Sequence, residues 1–280
     1  MADGPGGGGG EGAFTLLLAA AIASEIGPSG IIMTGGVGGE DSGSANESER
    51  KGMRNFLLVS AAVLVGSWAP PAPAAVFRVG AAAVEIPCDD SMDMAGGIHA
   101  WKASGAEAPL RAAAIVLSHG DEKLAICSCD VLFVQKDFVD PALERVRAAT
   151  GIPPERVLVH ATHTHSAPSA TRVHGYARDA RFVEGLARAI ADSIVAADAD
   201  LARHPDCRFR YRLGEESSVG QNSRLLLGDG TIFWVGNRDD AVRPTGPFDT
   251  DLPVLAFESA DGAPVATLFN HSTHTIGARQ

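Results

Sequence analysis

The sequence of 280 residues is poor in basic residues and has no stretch rich in Lys or Arg. It contains 23 Lys and Arg against 34 Asp and Glu, which gives a formal net charge of −11 at pH 7. A protein that binds nucleic acid neutralises phosphates with a basic face, and a polybasic membrane patch needs the same residues. The composition therefore excludes nucleic acid as a partner and excludes a polybasic membrane patch.

Cysteine is also scarce, and the four cysteines form no Cys-x-x-Cys pair. A structural zinc site built on thiolates is therefore excluded. Cys127 and Cys129 are two positions apart in a predicted strand, so we expect both on one face as small buried residues. Cys88 and Cys207 could form a disulfide in an exported protein, and the sequence leaves this pairing open.

The Gly-x-Ser-x-Gly elbow of serine hydrolases is absent as well. Ser166 stands beside His165, but adjacent residues of an extended chain point to opposite faces. A serine nucleophile activated by this histidine is therefore not indicated.

The N-terminal quarter of the chain has the composition of a leader rather than of a folded domain. Residues 1–52 are rich in Gly, Ser and acidic residues, and we interpret them as disordered and as a possible over-extension of the start site. Three basic residues, an apolar run over 56–68 and small residues before Val76 are typical of a secretory signal peptide. We predict this signal over residues 53–75, starting at Met53, and a secreted or periplasmic protein. The alternative is a membrane anchor with a disordered cytoplasmic head.

Residues 76–280 have the pattern of a folded domain in which strands outnumber helices. Apolar runs on either side of polar turns predict two hairpins, with turns at Ser118 to Glu122 and around Asp261. One helix is predicted from an N-cap at Asp140 to Gly151, with Pro141 in its first turn. Apolar residues recurring every four positions predict a second, longer helix over 181–203. The mixture predicts an α/β fold with mixed β-sheets flanked by helices.

Five of the nine histidines lie in two short segments. "VHATHTHSAP" contains His160, His163 and His165, and "FNHSTHT" contains His271 and His274. If the strand that contains His160 continues through the first segment, alternation places His163 and His165 on one face and His160 on the other. Two imidazoles at the end of a strand can bind one metal ion, or one can bind it while the other contacts the substrate.

The other polar candidates are weaker. Asp130 ends a predicted strand and could orient a ligand histidine, although a helix cap or a loop ion pair is a simpler role. Arg224 in "GQNSR" could bind a carboxylate or a polar head group in a cleft, although solvated arginine is commoner. Asp249 and Asp251 are interpreted as loop carboxylates. Five histidines are interpreted as ordinary core or surface residues: His99, His119, His160, His174 and His204.

Taken in order, these motifs resemble the N-terminal catalytic domain of the neutral/alkaline, non-lysosomal ceramidase family, from Val76 to the end of the chain. "THTHSAP" is similar to the family's THTHSGP, with Ala167 in place of glycine, and "LFNHSTHT" is similar to its N-x-x-x-H-P-T stretch. Members of the family are secreted or membrane-associated zinc amidohydrolases that cleave the N-acyl bond of ceramide. The resemblance implies a layered, αββα-like catalytic domain that is incomplete in this chain.

The resemblance also implies roles for individual residues. His163 and His274 would be zinc ligands, and His165 would lie beside the Zn²⁺ and contact the substrate or the tetrahedral intermediate. Arg224 resembles the family's active-site arginine, with "NSR" in place of NR. In the family a Glu and a Tyr from a more C-terminal part complete the site, and an immunoglobulin-like domain follows. We therefore expect a fragment with an incomplete zinc site and little or no activity of its own.

The expected function is zinc-dependent hydrolysis of the N-acyl amide bond of a ceramide-like lipid or another N-acyl amine. Peripheral contact with a membrane would then come through the substrate. Two alternatives stay open: a secreted metal-binding remnant without catalysis, and a hydrolase of a different amide or ester. The sequence does not indicate an oligomeric state.

Overall fold

The computed structural model describes residues 76–174, 176–220, 222–234 and 238–275. The predicted leader over 1–52 and the predicted signal peptide over 53–75 lie outside the described residues. Within the described ranges strands outnumber helices, as expected. The elements are, in chain order, β1 (Phe77–Glu85), β2 (Asp93–Met94), β3 (Trp101–Lys102), β4 (Arg111–His119), β5 (Glu122–Cys129), α1 (Lys136–Thr150), β6 (Val157–Ala161), α2 (Ala180–Asp200), β7 (Cys207–Glu215), β8 (Leu225–Leu227), β9 (Ile232–Phe233), β10 (Ala241–Pro244), β11 (Asp251–Ser259) and β12 (Pro264–Phe269).

The main sheet has the strand order β1-β4-β5-β6. β1 pairs antiparallel with β4, and β4 pairs antiparallel with β5 through a tight turn that brings His119 opposite Glu122. This turn lies where the sequence predicts it. The chain then passes through α1 and returns as β6, which pairs parallel with β5. The C-terminal ends of β5 and β6 therefore lie side by side at one edge of the sheet.

α2 packs across β1, β4 and β5, and α1 packs against α2. The N-cap of α2 is Asp179, whose side chain accepts a hydrogen bond from the backbone N–H of Phe182 at 3.0 Å. The predicted apolar stripe forms the buried face of α2 and occupies the centre of the core. Its fully buried members are Phe182, Leu186, Ile190 and Ile194.

The prediction for the start of α1 is wrong. The helix begins at Lys136 rather than after Asp140, and Pro141 lies inside it. Proline has no N–H to donate to the carbonyl of Asp137, which costs the helix one hydrogen bond. The earlier start buries Phe138 on the same face as the following buried residues of α1, and this apolar contact offsets the loss. The predicted end is confirmed: Gly151 is the C-cap and has a left-handed φ of 76°.

A second, three-stranded antiparallel sheet has the order β12-β11-β7 and contains the predicted C-terminal hairpin of β11 and β12. It contacts the main sheet through Phe77 of β1, whose ring centroid lies 5.8 Å from that of Phe209 and 6.4 Å from that of Phe257. Two smaller antiparallel sheets, β10-β8-β9 and β2-β3, contain the remaining strands. The described residues thus combine a helix layer, a mixed main sheet and further antiparallel sheets, and the α/β prediction is confirmed. No helix in the described ranges combines the length and the apolar character needed to cross a membrane.

The cysteines are all within the described residues and all are free thiols. Cys127 and Cys129 are fully buried on one face of β5, with their Sγ atoms 3.9 Å apart, as alternation predicts. Cys88 is exposed and Cys207 is buried, and the disulfide that the sequence left open is not formed between them.

Candidate metal centre

The first histidine segment leaves the sheet earlier than the sequence suggests. β6 ends at Ala161, and the backbone N–H of Thr162 donates to the Cys129 carbonyl at 2.9 Å. His163 then takes a left-handed backbone conformation with φ 59°. The prediction that His163 and His165 share one face assumes that the strand continues through them, and this assumption is wrong. A reversal of the backbone at His163 brings the two rings together.

The two rings are oriented by backbone carbonyls. Nδ1 of His163 lies 2.9 Å from the carbonyl oxygen of Leu132, and Nδ1 of His165 lies 2.8 Å from that of Gly96. A carbonyl oxygen only accepts hydrogen bonds, so both Nδ1 atoms carry the proton in these contacts. Each neutral imidazole then has its lone pair on Nε2, which is the tautomer of a metal-binding histidine with a hydrogen-bonded outer partner.

His274 reaches the same place from the segment that follows β12. Its Nε2 lies 2.7 Å from Nε2 of His165, and its ring centroid lies 4.9 Å from that of His163. The hydroxyl of Thr275 donates to the Thr162 carbonyl at 2.8 Å and ties the two histidine segments together. Three imidazoles from two segments that are far apart in sequence are therefore held in mutual contact.

The three histidines offer ligand nitrogens that all lie within 4.8 Å of one another. Zinc binds imidazole nitrogen at about 2.0–2.1 Å, so two nitrogens on one ion are at most about 4.2 Å apart. To share one ion, the nitrogens that lie furthest apart would have to approach one another. In the contact between His165 and His274, Nε2 of His274 donates because Nδ1 of His165 holds that ring's proton. For His274 to bind an ion through Nε2, this proton would move to its Nδ1. Only a protonated ring would release a proton on binding, so we expect binding to weaken at acidic pH.

The electrostatics of the cluster favour an uncharged ring at His274. Partial burial, and then the proximity of His165 and His163, lower the pKa of His274 below its usual value. A ring with a lowered pKa is neutral, and able to bind metal, over a wider pH range. His160 also has a lowered pKa because of burial, but its Nδ1 contacts the neighbouring Ala161 carbonyl at 3.4 Å. Its local contact fits the structural role predicted for it.

Two buried polar side-chain atoms in the described part of the chain have no hydrogen-bond partner, Oγ1 of Thr162 and Nε2 of His271. A buried polar atom without a partner costs about 1–3 kcal/mol and is uncommon. Thr162 directly precedes His163, and His271 lies three residues before His274. Both atoms therefore lie in the two segments that carry the cluster. This placement, together with the all-nitrogen donor set, fits a site that accepts a borderline-soft ion such as Zn²⁺.

Arg224 has a different setting from the histidines. Its guanidinium carbon lies 5.4 Å from the centre of the Trp234 ring, and the side chain is exposed. Among the described residues no hydrogen bond joins this guanidinium to the cluster. Its active-site role stays a prediction.

The carboxylates considered in the sequence bind backbone and hydroxyl groups. Asp130 accepts from the backbone N–H of Arg111 at 3.0 Å, and among the described residues no hydrogen bond joins it to a histidine. Asp249 accepts from the N–H of Asp251 and, at 3.2 Å, from the hydroxyl of Ser272, which steadies the segment before His274. Asp249 is a loop carboxylate, as predicted, whereas Asp251 is the first residue of β11 rather than a loop residue.

Sequence reasoning missed the groups that orient the rings. The Leu132 carbonyl has no sequence signal, because every residue carries the same backbone oxygen. Gly96 does carry a sequence signal, because the adjacent glycines of "MAGG" indicate a backbone that other residues resist, and the structure gives Gly96 a φ of 102°. What the sequence does not indicate is that its carbonyl orients His165. Tyr176, which hydrogen-bonds Gly96, was not singled out at all.

Comparison of the sequence finds no matching protein-family model and no matching curated protein. The fold is similar to that of neutral ceramidase from Pseudomonas aeruginosa, with a TM-score of 0.55 and 21% identity over 72% of this chain and 34% of that chain. It is also similar to a ceramidase complexed with C2, with a TM-score of 0.54 and 22% identity over 72% of this chain and 33% of that chain. The chain spans about a third of the length of these ceramidases. The predicted resemblance is confirmed for the fold.

Proposed function

We propose that the protein is a zinc-dependent amidohydrolase that cleaves the N-acyl amide bond of ceramide-like lipids. The observation that carries the proposal is the convergence of His163, His165 and His274, with the first two rings oriented by carbonyls. The fold shared with ceramidases supports the choice of reaction class. Export through a signal peptide over residues 53–75 is part of the proposal.

In this proposal His163 and His274 hold the ion. Zinc bound there would supply a water molecule with a strongly lowered pKa and would polarise the acyl carbonyl. Catalytic zinc sites normally use three protein ligands. The resemblance supplies the remaining ligands from a more C-terminal part of the protein, so the proposed activity is that of the full-length gene product.

His165 faces the substrate and acts through Nε2. Its Nδ1 proton is committed to the Gly96 carbonyl, so proton transfer at this ring takes place at Nε2. Protonated there, His165 donates a hydrogen bond to the acyl oxygen as negative charge develops on it. Arg224 is proposed as a second donor once it leaves the Trp234 ring. Each such donor is typically worth about 2.7–4 kcal/mol of transition-state stabilisation.

The test measures bound zinc and turnover together. We expect about one zinc ion per chain by elemental analysis and almost none in His163→Ala, because one histidine ligand cannot hold the ion. His119→Ala is the matched control, since His119 lies at the far end of β4 beside the turn. Unchanged zinc content in His163→Ala would remove the assigned site.

Turnover of N-acylsphingosine by the full-length gene product, lost in His163→Ala, is the expected result of the assay. Zinc bound without any turnover supports the second candidate, a metal-binding protein without catalysis, for which the same three histidines suffice. Turnover of short N-acyl amines or esters alone would contradict the lipid substrate and keep the hydrolase.

A further inference from the structure

Tyr176 lies between the two backbone segments that orient the histidines. It is almost fully buried, with 4% of its surface exposed. Its hydroxyl accepts a hydrogen bond from the backbone N–H of Gly96 at 2.9 Å and donates to the carbonyl of Gly97 at 3.3 Å. The hydroxyl of Tyr176 thus binds the N–H at one end of the Gly96–Gly97 dipeptide and the carbonyl at its other end. The carbonyl of that peptide's first residue is the acceptor for Nδ1 of His165.

The ring of Tyr176 contacts the second orienting segment. A small hydrophobic cluster, separate from the main core, consists of Ala95, Leu132 and Tyr176, with Val173 packed against it. Leu132 is the residue whose carbonyl accepts from Nδ1 of His163. The hydroxyl therefore restrains the acceptor of one histidine, while the ring packs against the residue that supplies the acceptor of the other.

Two adjacent glycines need such a restraint. Gly96 and Gly97 have no side chains of their own to hold their backbone, and glycine loses more conformational freedom on ordering than any other residue. Without the hydroxyl of Tyr176, the Gly96 N–H and the Gly97 carbonyl lose these partners and the Gly96 carbonyl can rotate. The Nδ1–H of His165 would then lose its acceptor, and the lone pair on Nε2 would lose its fixed direction.

We propose that Tyr176 is a positioning residue that sets the tautomer and direction of His165, and through Leu132 those of His163, for metal binding. The metal part of this inference rests on the proposed function, whereas the tautomer part does not. The predicted consequence is a single tautomer, with the proton on Nδ1, for both rings in the metal-free protein. Mutation of such outer partners typically lowers metal affinity about 10–100-fold.

Tyr176→Phe is the direct test, because it keeps the ring in its hydrophobic cluster and removes only the hydroxyl. His165 is not an assigned ligand, but its ring lies against both ligands, with centroids 5.1 Å apart at His163 and Nε2 atoms 2.7 Å apart at His274. We therefore expect zinc affinity, measured by competition with a chromophoric chelator, to fall about 10-fold, the low end of the range for an outer partner. We also expect ¹⁵N chemical shifts of the imidazole nitrogens, recorded on metal-free protein at about pH 8, to show mixed tautomers at His165. Tyr211→Phe is the matched control, since Tyr211 is the chain's other tyrosine and is 54% exposed.

The outcomes separate this inference from the proposed function. If the unsubstituted protein binds no zinc, the proposed function fails, and the tautomers still decide the role of Tyr176. If Tyr176→Phe keeps both the zinc affinity and the single tautomer, the inference is overturned. If that variant does not fold, the same inference is tested on the unsubstituted protein by NMR. We expect a Gly96 amide proton that is protected from exchange and a single Nδ1–H tautomer at His165. A fast-exchanging Gly96 amide or mixed His165 tautomers would overturn the inference.

Discussion

His163 combines an unfavourable backbone conformation with the central position in the cluster. A left-handed φ in a residue with a side chain costs about 1–3 kcal/mol and persists only where the surroundings enforce it. The hydrogen bond from its Nδ1 to the Leu132 carbonyl and the edge contact with the Phe133 ring, 5.2 Å between centroids, provide that enforcement. Backbone strain of this kind is frequent at functional sites.

At the scale of single residues, the most specific prediction concerns the substitution Gly96→Ala. A Cβ on Gly96 would lie 2.6 Å from the ring of His165, so Gly96→Ala must displace that imidazole. Gly105 has nearly the same φ, 106° against 102°, but nothing lies within 4 Å of a Cβ there. Both substitutions should destabilise the fold by about 1–3 kcal/mol through backbone strain.

Zinc affinity distinguishes the two variants. We expect it to fall about 10-fold in Gly96→Ala and to stay unchanged in Gly105→Ala, because only the first displaces His165, whose ring contacts the two assigned ligands. Urea unfolding measures the strain, and chelator competition measures the affinity. Equal affinities in both variants would show that Gly96 does not support His165.

At the scale of elements, the close approach of β1 to α2 organises the helix layer. Gly80 is buried in β1, and the N–H of the neighbouring Ala81 donates to the carboxylate of Asp200 at the end of α2 at 3.1 Å. An added Cβ on Gly80 would lie 2.0 Å from the carbonyl oxygen of Ala197, which is a backbone atom and cannot rotate away. The strand can meet the helix this closely only because residue 80 has no side chain.

Gly80→Ala should therefore push α2 away from the sheet and lower the free energy of unfolding by about 1–3 kcal/mol or more. Gly214→Ala in β7 is the matched strand control, because its nearest neighbour would be the Leu252 carbonyl oxygen at an ordinary 3.4 Å. The control should change stability by no more than about 0.5 kcal/mol. Chemical denaturation of both variants provides the measurement, and equal stabilities would contradict the proposed packing of β1 on α2.

At the scale of the whole molecule, apolar side chains are much more deeply buried on the main sheet than on the second sheet, β12-β11-β7. The main core lies between the first sheet and the two helices. Within the described residues of the second sheet, only Cys207 and Phe257 are buried hydrophobic residues. Tyr211 and Leu213 of β7 are 54% and 55% exposed. The second sheet is therefore held by far less apolar contact than the first.

Hydrogen exchange should report this difference directly. Amide protons in β4 and β5 should exchange only on global unfolding, whereas those in β7 and β12 should exchange faster through local opening. Exchange followed by mass spectrometry at peptide level gives the comparison. Equal protection of the two sheets would mean that the second sheet is stabilised by something other than its buried side chains.

The local sequence pattern predicts most of the helices and strands. It fails where contacts with distant parts of the chain decide where an element begins or ends. The β4–β5 turn, the C-terminal hairpin and the stripe of α2 follow from residues that are neighbours in the chain. The start of α1 does not, because burial of Phe138 in the tertiary core offsets the hydrogen bond lost at Pro141. The assumed continuation of β6 fails for a similar reason: contacts from other segments hold His163 in its left-handed conformation.

The sequence by itself determined which segments carry the histidine cluster, since the two histidine-rich motifs and the family resemblance named His163, His165 and His274. Only the tertiary structure decided how these rings face one another. The acceptor for His163 is 31 residues away in the chain, the acceptor for His165 is 69 residues away, and His274 is 109 residues from the ring it contacts. Both acceptors are backbone carbonyls, which are the same in every residue, so their role depends on where the fold places them.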